Sequence, residues 1–376
     1  MKKIIICILC SLSLLLCSCS KKNNVNIKET NSKNYIYVMY GNNVYDNGLI
    51  TGENPAVFYD FETMEKTVLC SRPNCTHTTS ECMGNNVGDC PMLYNGYLYY
   101  FSWSDKVKEL GNGEREYLIF SKLYRASLNN SEIETVAEFT DCAPREYDGY
   151  LLYNDAIYFT GDNMNPTEDE YGNIVTSNQG GNHYFCSIDL KTGKYTNYGS
   201  IYDGDKQYSE ASHSSSARIL GYYNSKIIIH YEFNPIPVDP KELDKFDFRA
   251  NFIQLTFEFD PETKEMKESN IPTTSYIDEN TYVYADIKTN KSYVITPDKT
   301  YEFDCDTYYS ASVLNNKLFN HNEHEWYDLN DMSRHSMGKY KNYKVVSYYK
   351  DSYILFNGAK LIKLTEEELR ALDNGE

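Results

Sequence analysis

Tyr94-Asn95-Gly96-Tyr97-Leu98-Tyr99-Tyr100 places a two-residue turn between apolar residues that alternate with others. The arrangement returns at Tyr153-Asn154-Asp155-Ala156-Ile157-Tyr158-Phe159 and at Tyr223-Asn224-Ser225-Lys226-Ile227-Ile228-Ile229. Weaker copies surround Asp278-Glu279-Asn280, Leu314-Asn315-Asn316 and Tyr349-Lys350-Asp351. Asn, Asp and Gly tolerate the positive φ that two-residue hairpin loops demand, so each copy predicts a β-hairpin. A companion hairpin reads Tyr59-Asp60-Phe61-Glu62-Thr63, Ile188-Asp189-Leu190-Lys191-Thr192 and Phe259-Asp260-Pro261-Glu262-Thr263.

With a first copy near Gly41-Asn42-Asn43, seven repeats follow one another at a spacing of about 51 residues, near the roughly 40–50 of propeller blades. Four strands per repeat and no long helical period predict an all-β chain forming a single β-propeller of seven four-stranded blades. Six or eight blades, or two separate β-domains, are the alternatives. The last repeat lacks an outermost strand, and Tyr35-Ile36-Tyr37-Val38-Met39-Tyr40 is an apolar strand without a place in the first. One is therefore expected to complete the other as a clasp between the termini, which removes an exposed strand edge. Glu366 to Leu372 is the one expected helix.

The chain holds 37 Tyr against 2 Trp, is 41% hydrophobic and carries a formal charge of -18. That composition excludes a multi-span membrane protein, and the sign of the charge argues against nucleic acid as a partner. Lys2-Lys3 precedes an apolar run from Ile4 to Leu16, long enough for a secretory signal and shorter than the roughly 20 residues of a spanning helix. Losing that segment would take the charge from -18 to -20, since it carries Lys2 and Lys3. Leu16-Cys17-Ser18-Cys19 has an aliphatic residue three before a cysteine and a small one just before it, which resembles the lipobox of bacterial lipoproteins. Residues 1–18 then read as the signal peptide, Cys19 as the lipidated N-terminus, 19–33 as a flexible tether rich in Asn, Lys and Ser, and 34–376 as the propeller. Cys17 is the weaker lipidation candidate, because Leu16 would sit where the peptidase prefers a small side chain, and an ordinary secretory peptide is the plainer alternative. A diacylglycerol plus an amide-linked chain gives the two anchors that stable attachment needs, placing the protein on the outer side of the cell membrane.

Cys70, Cys75 and His77, followed by Cys82 and Cys90, crowd four thiols and an imidazole into 21 residues. In an exported chain the cysteines are expected as disulfides whose pairing the sequence leaves open; a metal site using Cys70, Cys75, His77, Cys82 and Cys90 is the alternative. Cys142 and Cys186 flank the third repeat and could bridge, leaving Cys305 as a buried apolar residue. The Leu69-to-His77 pattern in a Tyr-rich chain with a lipobox resembles propeller-like lipoproteins of Gram-positive bacteria, which carry a domain of unknown function related to TolB-like and low-density-lipoprotein-receptor-type propellers. The resemblance implies fold and location and supplies no catalytic residues.

No Gly-x-Ser-x-Gly elbow, His-Glu-x-x-His pair or phosphate loop is present in the sequence. The expected function is a cell-surface propeller, without cofactor, that binds an extracellular ligand, glycan or protein. The alternative is a polysaccharide-active enzyme whose central funnel gathers a carboxylate pair from Asp105, Asp162, Glu232 and Asp286. Asp162 to Glu170 has a passing likeness to a calcium loop without its ordered spacing and reads as a surface loop. His321, His324 and Glu325 could ligate a metal only if a turn brought them together, and read as turn residues. Tyr97, Tyr99 and Tyr158 are expected to pack between blades; Tyr171, Tyr202, Tyr208, Tyr308 and Tyr309 could line a binding face.

Overall fold

The computed structural model describes residues 27–28, 35–38 and 43–374, apart from 53–54, 71, 73–74, 80–81, 88–89, 110–114, 129–131, 146–147, 164–166, 169–173, 176–182, 204–214, 236–252, 273, 287–288 and 308–309. The signal segment and Cys19 lie outside the described residues, as do Tyr171, Tyr208, Tyr308 and Tyr309.

Seven antiparallel meanders stand in a ring, the arrangement of a seven-blade β-propeller. Blade 1 comprises Asn43–Tyr45, Gly48–Thr51, Val57–Asp60 and Lys66–Val68. Blade 2 comprises Met92–Tyr94, Tyr97–Glu109, Arg115–Ser127 and Ile133–Phe139. Blade 3 comprises Tyr150–Tyr153, Ala156–Asn163, His183–Asp189 and Tyr195–Ser200. Blade 4 comprises Ser215–Tyr223, Lys226–Phe233, Ile253–Phe259 and Met266–Glu268. Blade 5 comprises Thr274–Asp278, Thr281–Asp286, Lys291–Ile295 and Thr300–Phe303. Blade 6 comprises Ala311–Leu314, Lys317–Asn320, Glu325–Asp328 and Arg334–Ser336. Blade 7 has three strands, Lys344–Tyr349, Ser352–Phe356 and Leu361–Thr365, and the chain then enters the helix Glu366–Ala371. Thr365 and Glu368 form a capping box that starts this helix.

The repeated turns have a common chemistry. Asn154 and Asp155, Asn224 and Ser225, Asn315 and Asn316, and Lys350 and Asp351 all have positive φ, as two-residue turns of matching twist require. In the companion turn an aspartate side chain accepts from the backbone N–H groups two and three residues on: Asp60 from Glu62 and Thr63, Asp189 from Lys191 and Thr192, Asp260 from Glu262 and Thr263. Asp328 accepts from Asn330 alone in this way. The two turns of a blade are tied together, since Phe61, Leu190 and Leu329 donate their N–H to the carbonyls of Asn47, Asp155 and Asn316. Blade 4 has Pro261 at that place and no N–H to give; there the Lys226 ammonium bonds Asp260 at 2.6 Å.

First strands of neighbouring blades touch: Ser215–Tyr223 meets Thr274–Asp278, which meets Ala311–Leu314, which meets Lys344–Tyr349. Only strands next to the axis can do so, which makes the first strand of every blade the innermost. Gly221 shows how close they come: its φ is +149°, and a Cβ there would lie 2.4 Å from Ile277.

The core fills the seams between blades. Leu151, Tyr158, Phe185, Ile219, Ile229 and Phe259 join blades 3 and 4, and Val283, Val294, Leu318 and Tyr327 join blades 5 and 6. Tyr99 and Tyr158 are buried in such seams as expected, while Tyr97 is half-buried. Cys305 is buried between blades 5 and 6. Tyr202 is half-buried and packs against the core at Tyr231, Phe233 and Phe257.

One expectation is overturned. Tyr35–Val38 does not complete the last blade; it pairs antiparallel with Tyr150–Tyr153, the innermost strand of blade 3, on the edge facing the axis. In the centre of the ring it also meets the innermost strands of blades 1 and 4. The free edge at the axis offered it a complete set of backbone partners, whereas blades 1 and 7 are joined by side chains: Leu49, Val57, Tyr59 and Phe61 pack on Ile354, Phe356 and Leu361.

Candidate functional site on the loop face

Because each blade is a meander, its first-to-second and third-to-fourth turns fall at one end of the strands. Its second-to-third turn and the link to the next blade fall at the other. The first end carries the tight turns described above. The second carries the long connections: 69–91 between blades 1 and 2, 140–149 between blades 2 and 3, 164–182 inside blade 3, 201–214 between blades 3 and 4, and 234–252 inside blade 4. Two groups of chemically able side chains lie on this loop face.

The first is in the connection 69–91. The Sγ atoms of Cys70, Cys75 and Cys82 and a ring nitrogen of His77 all lie within 4.8 Å of one another. Cys70 and Cys82 are buried, Cys75 and His77 half-buried. Cys82 precedes the short helix Met83–Asn86, and Met83 and Val87 anchor it in the core of blades 1 and 2. Ala56 donates to the Gly84 carbonyl at 2.7 Å, which pins the helix to blade 1. His77 has a positive φ of 59° and its Nδ1 lies 3.4 Å from Cys82 Sγ. The backbone N–H of His77, then hydrogen bonds with Cys82 and Cys70 and least of all the Arg72 charge, hold the Cys75 thiol below its ordinary value, whereas burial pushes Cys82 up to about 12. Cys90 is not in this group; it is buried with Met92, Tyr99, Cys142 and Cys186 between blades 2 and 3. Cys142 is hydrogen-bonded to Cys186, and that contact plus burial holds its thiol well above the ordinary value.

The second group bridges blades 3 and 4. Arg145 Nε bonds Asp162 Oδ2 at 2.5 Å, and His183, cross-strand from Asp162, has Nδ1 3.0 Å from Asp162 Oδ1. His183 Nε2 is 3.1 Å from Ser215 Oγ. Asp, His and Ser thus stand in the order of a catalytic relay. The aspartate-to-imidazole approach, however, lacks the alignment of a hydrogen bond, and Arg145 already engages that aspartate. The geometry is that of a structural network joining the connection 140–149 to strands of blades 3 and 4. Behind it, burial pushes Asp148 up to about 8, with Asp162 adding to the effect and Arg145 opposing it. In blade 4, Glu232 bonds His230, Ser216 and Gln254. Burial works against its ionisation, yet the His230 bond and the Arg218 charge hold it at about 2.

Of the four acids considered as a catalytic pair, Asp162 and Glu232 reach the loop face on adjacent blades, each already engaged by basic or polar neighbours. Asp286 ends the second strand of blade 5 opposite Lys291. Asp105 is placed by its backbone alone, opposite Ile119 in blade 2. The residues that complete the network, Arg145, Asp148, His183, Ser215 and His230, went unrecognised in the sequence, where nothing marks them apart from their types. His321 is half-buried with Ser312 as partner and pushed down to about 4 by desolvation, while His324 turns outward with a φ of 58°. They are turn residues, as expected. In the acidic insertion, Thr167–Glu168 pairs with Ile174–Val175; residues 164–166 and 169–170 lie outside the described residues.

No family model and no curated protein matches the chain. Among solved structures it is similar to the oligogalacturonate lyase of Vibrio parahaemolyticus, at 12% identity and a TM-score of 0.36 over 87% of this chain and 79% of that one. It is also similar to dipeptidyl peptidase 4 of Porphyromonas gingivalis, at 9% identity and a TM-score of 0.40 over 84% and 50%. Acylaminoacyl peptidase of Pyrococcus horikoshii gives 11% and 0.35 over 70% and 48%. At these TM-scores none of the three likenesses carries an argument about this chain, whose propeller fold rests on its own strand order.

Proposed function

We propose that the chain is a lipid-anchored lipoprotein on the outer side of the cell membrane, whose propeller turns its loop face away from the membrane to bind an extracellular protein or glycan without chemistry of its own. One observation carries this reading, the direction of the central strand. Tyr35 lies opposite Tyr153, beside the tight turn at Asn154, and Val38 lies opposite Tyr150, at the loop end. The chain therefore enters the ring from the turn face. Lys28, which donates its N–H to Asn47 Oδ1 at 2.7 Å in a blade 1 turn, is on that same face. A tether from Cys19 to residue 27 would then hold the turn face towards the membrane and leave the long connections facing outward. The central strand also occupies axis space that a catalytic funnel would need. A bridge between Cys142 and Cys186 belongs to the same extracytoplasmic reading.

The test is a photo-crosslinking residue placed in the full chain on intact cells, at Thr79 and Glu323 on the loop face and at Asn95 and Asn224 on the turn face. Lipid adducts from the turn face, with partner adducts from the loop face, support the orientation. Lipid adducts from the loop face overturn it, and fatty-acid labelling that survives Cys19→Ala overturns the anchor. Polysaccharide cleavage abolished by Asp162→Asn and Glu232→Gln would replace the binding role with the enzymatic one.

A further inference from the structure

We propose that Cys70, Cys75, His77 and Cys82 together hold one zinc ion as a closed, structural Cys3His centre that fixes the connection between blades 1 and 2. Zinc takes four ligands tetrahedrally, with sulfur near 2.3 Å and nitrogen near 2.0–2.1 Å, so its donors sit roughly 3.5–3.8 Å apart. The four donors here already lie within 4.8 Å of one another, and His77 Nδ1 is 3.4 Å from Cys82 Sγ. Displacements of about an ångström complete the tetrahedron.

The number and kind of donors choose between a metal and a disulfide. A bond between any two of the three sulfurs would leave the third thiol and the imidazole crowded against it, whereas one ion uses all four. Three thiolates and an imidazole are soft and borderline ligands, suited to zinc and unsuited to calcium or magnesium. Four protein ligands leave no open position, which makes the centre structural. Binding converts three thiols to thiolates and releases three protons to solvent, leaving a centre of net charge -1 beside Arg72, whose charge acts on Cys75. The scaffold is built for it: Cys70 follows the last strand of blade 1 and Cys82 leads into a helix buried in the blade 1–2 core. Between them the chain has few apolar residues of its own, so a cross-link must hold it.

The experiment uses the full chain purified without chelator, with elemental analysis, peptide mapping under non-reducing conditions, and substitution by Co2+. About one zinc per chain is expected, with a thiolate-to-cobalt charge-transfer band after exchange. His77→Ala, at a half-exposed position that leaves the core intact, should lose the zinc, and Cys90→Ser should keep it. Chelation should raise the alkylation rate of Cys75. A metal-free chain with a disulfide among Cys70, Cys75 and Cys82 overturns the proposal. So does iron or copper in place of zinc, or full zinc content in His77→Ala together with Cys75→Ser.

Discussion

The two faces of the ring hold their polar groups by opposite means. On the turn face, aspartates accept backbone N–H groups within their own turn, a device that blades 1, 3, 4 and 6 repeat with small changes. On the loop face, buried polar groups find partners across blades, as Arg145, Asp162, His183 and Ser215 do. Local hydrogen bonds are written in a few consecutive residues, whereas a cross-blade network exists only once the ring has closed. Two aspartates, Asp328 of the turn face and Asp148 of the loop face, bring the contrast to a single measurable quantity, because their carboxyl groups are shifted in opposite directions.

Asp328 should give the largest effect. Alone among the four turn aspartates, it is also engaged by the buried Lys317 at 3.5 Å and by Arg370 of the terminal helix. Removing one partner of a buried ion pair costs about 3–5 kcal/mol where the other charge is left stranded; Lys317 keeps Glu366 at 3.1 Å, so about 2–3 kcal/mol is expected here. Asp328→Ala should lower stability in denaturant titration by that amount, and Asp328→Leu paired with Lys317→Met should recover much of it. Recovery in the double variant would confine the cost to the weakened pairing of the buried ammonium; its absence would move the cost to the turn itself. Burial opposes its ionisation, but Asn330, Lys317 and Arg370 outweigh that and hold the carboxyl below the ordinary value. Its contribution is therefore present at neutral pH and lost as the pH falls through the folded value.

Asp148 should behave in the opposite sense. With a folded value of about 8 against roughly 3.9 in the unfolded chain, the unfolded state ionises first, and stability falls as pH rises between those values. Asp148→Asn should leave stability unchanged near pH 4 and raise it by about 2–3 kcal/mol near pH 8, less than the bare pKa difference implies because buried sites relax. Equal gains at both pH values would mean that the carboxyl is ionised in the folded protein and that its neighbours already neutralise it.

Asp189→Ala removes the bonds of a companion turn, two backbone N–H groups where Asp328 takes one, without a buried ion pair. Its carboxylate accepts the N–H groups of Lys191 and Thr192 at 3.0 and 2.8 Å, which should be worth about 1 kcal/mol. A loss close to that of Asp328→Ala would show that the turn itself, and not the ion pair, gives Asp328 its weight.

The same division decides what the sequence could reveal. Asn95-Gly96, Asn154-Asp155 and the Asp-x-x-Thr turns announce themselves locally, and with their spacing they are enough for the blade count. The Cys70-to-Cys82 group is legible by density, but the sequence could not say that Cys90, eight residues further on, leaves it for the core of blades 2 and 3. Alternating apolar residues at Tyr35–Val38 say strand without saying which edge it joins, and the axis-facing edge of blade 3 won over the outer edge of blade 7. Asp148 and His183 carry no periodic or motif signal, since what makes them unusual is burial beside residues distant in sequence, from strands of blades 3 and 4.

The smallest effect is expected where blades 1 and 7 meet. Glu62 takes both Lys350 and the Tyr349 hydroxyl as partners across this seam, but all three are exposed or half-exposed. Exposed pairs gain little over hydration and are screened by salt. Beneath them Tyr59 meets Phe356 edge-on, with ring centres 5.0 Å apart, and Leu49, Phe61, Ile354 and Leu361 are buried. Glu62→Gln and Lys350→Met should therefore leave the melting temperature unchanged within measurement at low and at high salt, while Phe356→Ala lowers it markedly. If the charge variants instead melted earlier at low salt only, the ring would be closed electrostatically. Among the described residues blades 1 and 7 share no strand, so that result would make the seam the weakest part of the propeller at high ionic strength. An apolar seam keeps its strength there, because salt does not screen the burial of Tyr59 and Phe356.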